Sequence, residues 1–516
     1  MNLKLIPTLL LLACLTLRAE GASTNTAAIL TPPPPATPRI NGPNIFGVRP
    51  GSPFLYTIPA TGDRPMTFNV ENLPKGLSVD PATGQITGAV KKKGEYAVVL
   101  HAKNARGENR KKFRIVVGDK IALTPPMGWN SWNCWAGAVD QQKVLQSARA
   151  MVTSGLINHG WTYVNMDDTW QGQRTGKDHA LQGNEKFPDM KGLCDEIHNM
   201  GLRAGIYSTP WITSYASYPG GSSDNADGAW SKKLANGSGH HHGKFSFTTA
   251  DANQLAAWGF DYLKYDWDPN DMPHTMEMSK ALRHSGRDIV FSLSNTAPFD
   301  HAADWACWAN CWRTTGDIRD HWVASNAFWE HGVSEIGFNQ DRWAPYGGPG
   351  HWNDPDMLVV GYVGWGPSLR PTHLTPDEQY THISLWCLLS APLLIGCNLD
   401  QLDPFTLGLL SNDEVLAIDQ DALGKPAVRA ATYGAVDVYV KQLQDGSKAV
   451  GFFNRDSTEQ KISFTKMIYM GISGRQHVRD LWRQQDLPDI VDTMKNPFPM
   501  TIPAHGAQLY KFSPAK

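Results

Sequence analysis

Residues 261–268 of this chain read Asp-Tyr-Leu-Lys-Tyr-Asp-Trp-Asp. Tyr262, Leu263 and Tyr265 favour extended backbone, and Gly259 and Pro269 punctuate the ends, so the run predicts a short buried strand. Side chains alternate along a strand, which turns Lys264 and Asp266 to the same face. Charged groups aimed into a fold's interior are costly unless paired or used, and a structural ion pair meets that condition as well as catalysis does. Asp317 stands farther along the chain. Glycosidic cleavage needs two carboxyls on opposite sides of the bond, one ionised and one protonated. Asp266 suits the ionised role because Lys264 favours its charge. Asp317 suits the acid role, with carboxylates such as Asp356 helping it keep a proton. A solvated loop aspartate is the plain alternative for Asp317.

The elements that must position these groups are legible from Ile121 to about Asp421, where short apolar runs alternate with helix-like stretches. The candidate strands are Gly128–Trp129, Tyr163–Asp167, Arg203–Tyr207, Tyr262–Asp266, Ile289–Ser294, Ala309–Arg313, Trp352–Leu358 and Pro392–Cys397. Helices are expected at Gln141–Val152 and Gly192–Met200, the second with Asp189 near its start. Eight repeats without a Gly-rich phosphate loop predict an α/β fold with a central (β/α)8 TIM barrel over 121–421, rather than a doubly wound sheet. In such barrels the chemistry sits at the C-terminal strand ends. Asp167, Asp168, Tyr207, Asp266, Ser294, Asn295, Arg313, Asp317, Asp354 and Asp356 cluster where that rule asks.

Five motifs stand in order: Gly128-Trp-Asn-Ser-Trp132, Met166-Asp-Asp-Thr-Trp170, Lys264-Tyr-Asp266, Arg313-Thr-Thr-Gly-Asp317 and Gly350-His-Trp-Asn-Asp-Pro-Asp-Met357. Together they resemble glycoside hydrolase family 27, the α-galactosidases and α-N-acetylgalactosaminidases. The resemblance implies a retaining exo-hydrolase that releases terminal α-linked galactose without a cofactor or metal, with Asp266 as nucleophile and Asp317 as acid/base. It further implies that Asp167 and Asp168 hold the sugar's O4 and O6 hydroxyls, and that Lys264 and Arg313 bind neighbouring hydroxyls. Trp129 would form an apolar wall, and Tyr207 and Asp356 would complete the pocket. Two departures stand out. The family often carries a cysteine after its Lys-Tyr-Asp-Asn, bridged to the third-strand loop; here Trp267 follows Asp266 and the Tyr207–Ile212 loop has no cysteine. Beside the sugar's C2, Ser294 and Ala297 resemble the roomier arrangement of α-N-acetylgalactosaminidases. That enzyme and β-L-arabinopyranosidase are the alternatives within the family, and a non-catalytic carbohydrate-binding protein is the remote one. A metal-dependent barrel hydrolase would want a His-x-His after the first strand, where Trp129-Asn-Ser-Trp132 stands.

The flanks are of another kind. Residues 1–22, with Lys4 and an apolar run from Leu5 to Leu17, predict a signal peptide and hence a secreted, periplasmic or envelope protein. Cys14 weakly resembles a lipoprotein site. A Pro-rich linker is expected over 23–40, an Ig-like β-sandwich over 41–118 and a C-terminal antiparallel β-sandwich over 422–516. Leu73–Gly88 resembles the Ig-like domain found beside many secreted bacterial enzymes, expected here as a spacer or carbohydrate-proximal module. Export permits disulfide bonds among the six cysteines other than Cys14, and such bonds are expected, with no pairing legible. The balance of 47 basic against 49 acidic residues argues against nucleic-acid or anionic-membrane partners, leaving a carbohydrate substrate. No later run approaches the ~18 apolar residues of a membrane span. Of 19 tryptophans, 18 lie between Trp129 and Trp386, and those outside the motifs are expected in the core. His240-His-His242, in a Gly/Ser/Asn-rich insertion, is expected to be a solvated loop. Oligomeric state is left open.

Overall fold

The computed structural model describes residues 28–230, 238–324, 329–465, 467–491 and 497–515; the expected signal peptide lies outside them. Eight parallel strands form the central sheet: β1 Met127–Asn130, β2 Tyr163–Asn165, β3 Arg203–Ser208, β4 Tyr262–Asp266, β5 Val290–Ser294, β6 Cys311–Arg313, β7 Trp352–Asp354 and β8 Leu393–Ile395. Neighbours run β7-β6-β5-β4-β3-β2-β1-β8. Leu358 closes the ring: it donates to Leu394 O at 2.8 Å and accepts from Gly396 N at 2.9 Å. The strands are almost entirely buried, as parallel barrel strands covered by helices must be. Gly128 is required where β1 meets β2, since a Cβ there would lie 2.4 Å from the Tyr163 carbonyl oxygen.

The connecting helices begin where side chains can satisfy their free amides. Asp140, Asp189 and Asp271 accept from Lys143 N, Gly192 N and His274 N, opening Gln141–Thr153, Met190–Asn199 and Met272–His284. Thr375 and Glu378 form a capping box ahead of Pro376–Leu388. That last helix is buried from Glu378 to Leu388, because the barrel lies on one side and the C-terminal sheet on the other.

The N-terminal unit packs a four-stranded sheet on a three-stranded one around its own core, which includes Phe54, Phe68, Leu100, Phe113 and Ile115. It sits against the N-terminal ends of the barrel strands. Arg203, the first residue of β3, donates to Leu55 O at 2.5 Å and lies over the Phe46 ring at 4.8 Å. Thr57 donates to Gly201 O, and Arg49 pairs with Asp288 at 3.2 Å. This places the unit at the end of the barrel away from the strand ends that carry chemistry. The proline-rich stretch is not free either. Leu30 N donates to the Tyr380 hydroxyl and Thr31 to Gly408 O, laying it along the barrel's helices.

The C-terminal unit is a six-stranded antiparallel sheet faced by the pair Gln460–Phe464 and Phe498–Ile502. Disulfides are absent among the described residues, contrary to expectation. Cys134, Cys194, Cys307, Cys311, Cys387 and Cys397 are all free, and only Cys307 is exposed. The other five serve as small apolar groups within the fold's interior.

Candidate active site

A cavity of about 660 Å³ opens at the C-terminal ends of the barrel strands. Its lining includes Asp167 and Asp168 beyond β2, Tyr207 on β3, Lys264 and Asp266 on β4, Arg313 on β6, Asp317 after β6 and Asp356 after β7. Strand alternation therefore does for Lys264 and Asp266 what the sequence implied: both reach one space, and Asp317 faces it too.

The charged floor is held by a bonded network. Asp167, buried, accepts from Lys264 Nζ and Asn130 Nδ2, both at 2.9 Å, and from the Asp168 amide. Asp168 accepts from Gln171 Nε2 at 2.9 Å and from the amides of Thr169 and Ala216. Across the cavity, Arg313 Nη2 lies 2.8 Å from Asp356 Oδ2 and 3.3 Å from Asp317 Oδ1. Asp356 also accepts from the Ile318 amide, tying the loop that carries Asp317 to the end of β7. Asp356 pays for its position with a left-handed backbone, φ 78°, worth about 1–2 kcal/mol of strain for a non-glycine. Asp266 accepts from Asn295 Nδ2 at 2.7 Å, and the Tyr207 hydroxyl sits beside it.

Electrostatics differ from the sequence expectation at two points. Burial pushes the Asp266 carboxyl up to about 7, outweighing the lowering by Lys264, while Asp317 and Asp167 push the same way as burial. Lys264 is closest to Asp167 rather than dedicated to Asp266. Its own pKa is raised, because Asp167 and Asp266 together overcome its burial. Asp356 is not a bare carboxylate leaning on Asp317. Arg313 stands between them, and Asp356 is itself raised by burial against the pull of Arg313. Asp317 is half-exposed, so the two catalytic candidates sit in unlike surroundings, one dry and one wet.

Three candidates are absent from the cavity lining. Trp129 is wholly buried with its indole N–H on Cys397 O at 2.8 Å, and Trp132 lines the cavity instead. Ser294 does not line the cavity but faces a small adjoining space that it shares with Lys264, Arg313 and Asp356, and Ala297 is buried, while Asn295 and Thr296 between them line the cavity. For Ala297 the reason is local: β5 ends at Ser294, and alternation no longer decides which way Asn295, Thr296 and Ala297 turn. Trp329, Trp365, Tyr215 and His331 complete the mouth. The two tryptophans correct the expectation that indoles outside the motifs are core. They sit on long loops after β6 and β7, where periodicity carries no signal.

His241 is exposed as a solvated loop would have it, but His240 and His242 are partly buried. His240 stacks on Trp211 with centroids 5.1 Å apart. His242 stacks on His274 at 3.4 Å, and Nε2 of His242 and Nδ1 of His274 both face the Asp271 carboxylate, at 3.4 and 2.8 Å. The ring planes are within 4° of parallel and stacked, so their in-plane lone pairs lie in separate parallel planes and do not converge on one metal ion. Asp271 also accepts from Trp267 Nε1 at 3.2 Å. The third-strand loop is thus fastened to the segment just after Asp266 by the His242 stack and its pairing with Asp271, where the family often has a bridge. A second group, Asp320 with His321 and His373, has its carboxylate taken by both Arg370 amines, at 2.6 and 3.2 Å.

Comparison with known proteins gives three family matches. Residues 124–421 match the family described as Alpha galactosidase A, and 433–512 match the Alpha galactosidase C-terminal beta sandwich domain. Residues 37–118 match an Ig domain family. Alpha-galactosidase 2 of Arabidopsis thaliana is 35% identical over 411 residues, 78% of this chain and 93% of that protein. A crystal structure of a candidate alpha-galactosidase from Bacteroides fragilis superposes with a TM-score of 0.81 at 33% identity, covering 93% of this chain and 98% of the other. A family 27 β-L-arabinopyranosidase from Geobacillus stearothermophilus superposes at 0.63 with 28% identity, covering 76% of this chain and 98% of the other.

Proposed function

The chain belongs to glycoside hydrolase family 27, the alpha-galactosidase family, and from that premise we propose that it is a retaining exo-α-galactosidase. The observation that carries the reading is that Asp266 and Asp317 face one cavity whose floor is lined by Asp167, Asp168, Lys264 and Arg313. Carboxylates and cations give charge-assisted hydrogen bonds to hydroxyls, and a paired carboxylate can select an axial one. In this reading Asp167 and Asp168 hold O4 and O6, and Lys264 and Arg313 hold neighbouring hydroxyls. The rigid network beneath them fixes the ring relative to Asp266.

In the first step Asp266 attacks the anomeric carbon while Asp317 gives its proton to the leaving oxygen. In the second, Asp317 takes a proton from water, which displaces Asp266 and releases galactose with its configuration retained. The dry setting of Asp266 suits a nucleophile whose charge is to be quenched by bond formation. The half-exposed setting of Asp317 gives it access to water. Asn295 holds one Asp266 oxygen and leaves the other for attack. No step asks for a metal, and activity unchanged in a chelator is the expected outcome.

Initial rates on aryl glycosides of α-galactose, α-N-acetylgalactosamine and β-L-arabinopyranose test the assignment. The galactoside should be fastest; if it is the slowest of the three, the substrate reading is wrong. We also propose that residues 1–22 direct export and are removed, which N-terminal sequencing of the mature protein would check.

A further inference from the structure

We propose that Trp329 is the platform on which the ring of the leaving group stacks, making this enzyme selective for α-galactosides whose aglycone is itself a ring. This rests on the galactosidase reading above and extends it to the far side of the scissile bond. Three observations carry it. First, Trp329 is 67% exposed, while most of the chain's other indoles are buried, and an indole left in water at a cavity mouth is matched to something that arrives. Second, its backbone is locked to the proposed acid/base. The Asp317 amide donates to Trp329 O at 3.0 Å, and Asp317 pairs with Glu330 in a short parallel bridge. The platform therefore stands at a fixed offset from the group that protonates the leaving oxygen. Third, the mouth is aromatic where the floor is charged. Trp132, Tyr215 and Trp365 accompany Trp329 around the opening, and Arg319 lies over the Trp365 ring at 4.6 Å. A charged floor suits hydroxyls to be gripped individually. An aromatic rim suits the flatter apolar face of a second ring. The cavity, at about 660 Å³, is larger than one pyranose fills.

The test compares kcat/KM for Trp329→Ala and Trp329→Phe with the unaltered enzyme on two substrates. One is an α-galactosyl disaccharide, the other methyl α-galactoside. Both leaving groups are alkoxides that need protonation by Asp317, and only the disaccharide offers a ring to stack. Trp329→Ala should lose about five- to tenfold on the disaccharide, chiefly in KM, and under twofold on the methyl glycoside; Trp329→Phe should recover most of the loss. An equal loss on both substrates overturns the proposal, because Trp329 would then act only through the position of Asp317 or through folding. No loss on either also overturns it. If the unaltered enzyme cleaves neither glycoside, the galactosidase reading falls and takes this one with it.

Discussion

Replacing Lys264 by methionine separates two things the lysine does, holding a hydroxyl and holding a charge. Lys264 and Asp266 are two residues apart on β4, which at about 3.3 Å per residue puts their charged ends roughly 7 Å apart. With an effective dielectric near 20, that is worth about 2 kcal/mol, or between one and two pKa units. The Asp266 carboxyl, already raised to about 7 by burial, should therefore climb to about 8 or 9 in Lys264→Met. At pH 6 about a tenth of Asp266 is ionised in the unaltered enzyme, and roughly one part in a few hundred in the variant. Near pH 9 the two differ by less than about threefold on the same arithmetic. The assay is kcat/KM against pH, which reports the free enzyme. The variant's acid limb should shift upward, with a loss many times greater at pH 6 than at pH 9, on top of a pH-independent loss from the missing hydroxyl contact. A profile lowered evenly at every pH, with the limb unmoved, would refute the reasoning and leave Lys264 a hydrogen-bond donor only.

Asp266→Asn should abolish turnover while raising the melting temperature at pH 8. The folded-state pKa of this carboxyl is raised, so its charge penalises folding progressively from the unfolded pKa up to about 7 and fully above it, and the amide escapes that penalty. No gain at pH 8 over pH 4 relative to the unaltered enzyme counts against the burial argument. Asp317→Ala should cost about 10²–10⁴ in kcat/KM on methyl α-galactoside and far less on α-galactosyl fluoride, whose leaving group needs no proton. A thiol reagent should titrate Cys307 quickly in the native protein and the five buried cysteines only after unfolding. Reductant should leave the melting temperature where it was; a drop would reveal a disulfide.

The barrel was readable because its strands are short apolar runs between helix signals: β4 lies at Tyr262–Asp266 as expected, and the others begin within two residues of the expected starts. The charged floor was readable for the same reason, since Lys264, Asp266 and Arg313 sit on strands and strands fix where side chains point. Beyond the strands only the ordered motifs were legible, and they placed Asp167, Asp168, Asp317 and Asp356 at the cavity. Ser294 and Ala297 were expected at the sugar and are buried, while Asn295 carries the bond to Asp266. Nor could the sequence show that Arg313 would come between Asp356 and Asp317, or that His242 would meet Asp271. Both depend on the paths of long loops. The raised Asp266 follows from how completely its neighbours exclude water, a sum over the whole fold and not a property of Lys264-Tyr-Asp266.

The six-stranded C-terminal sheet is apolar on both faces. Tyr439, Phe453 and Leu509 join the barrel's core, while Val438, Phe452 and Tyr510, their neighbours along the same strands, build a second core with the facing pair of strands. Between sheet and barrel runs the buried helix Pro376–Leu388, whose Trp386 donates to the Asp356 carbonyl at 2.7 Å. A sheet with no face for water would leave one apolar face bare without the barrel, and the barrel would lose part of its core without the sheet. The N-terminal unit has a closed core of its own and meets the barrel through polar bonds such as Arg203 to Leu55 O and Arg49 to Asp288. The three-part chain is thus held in two ways: barrel and C-terminal sheet share one core, and the N-terminal unit closes around its own.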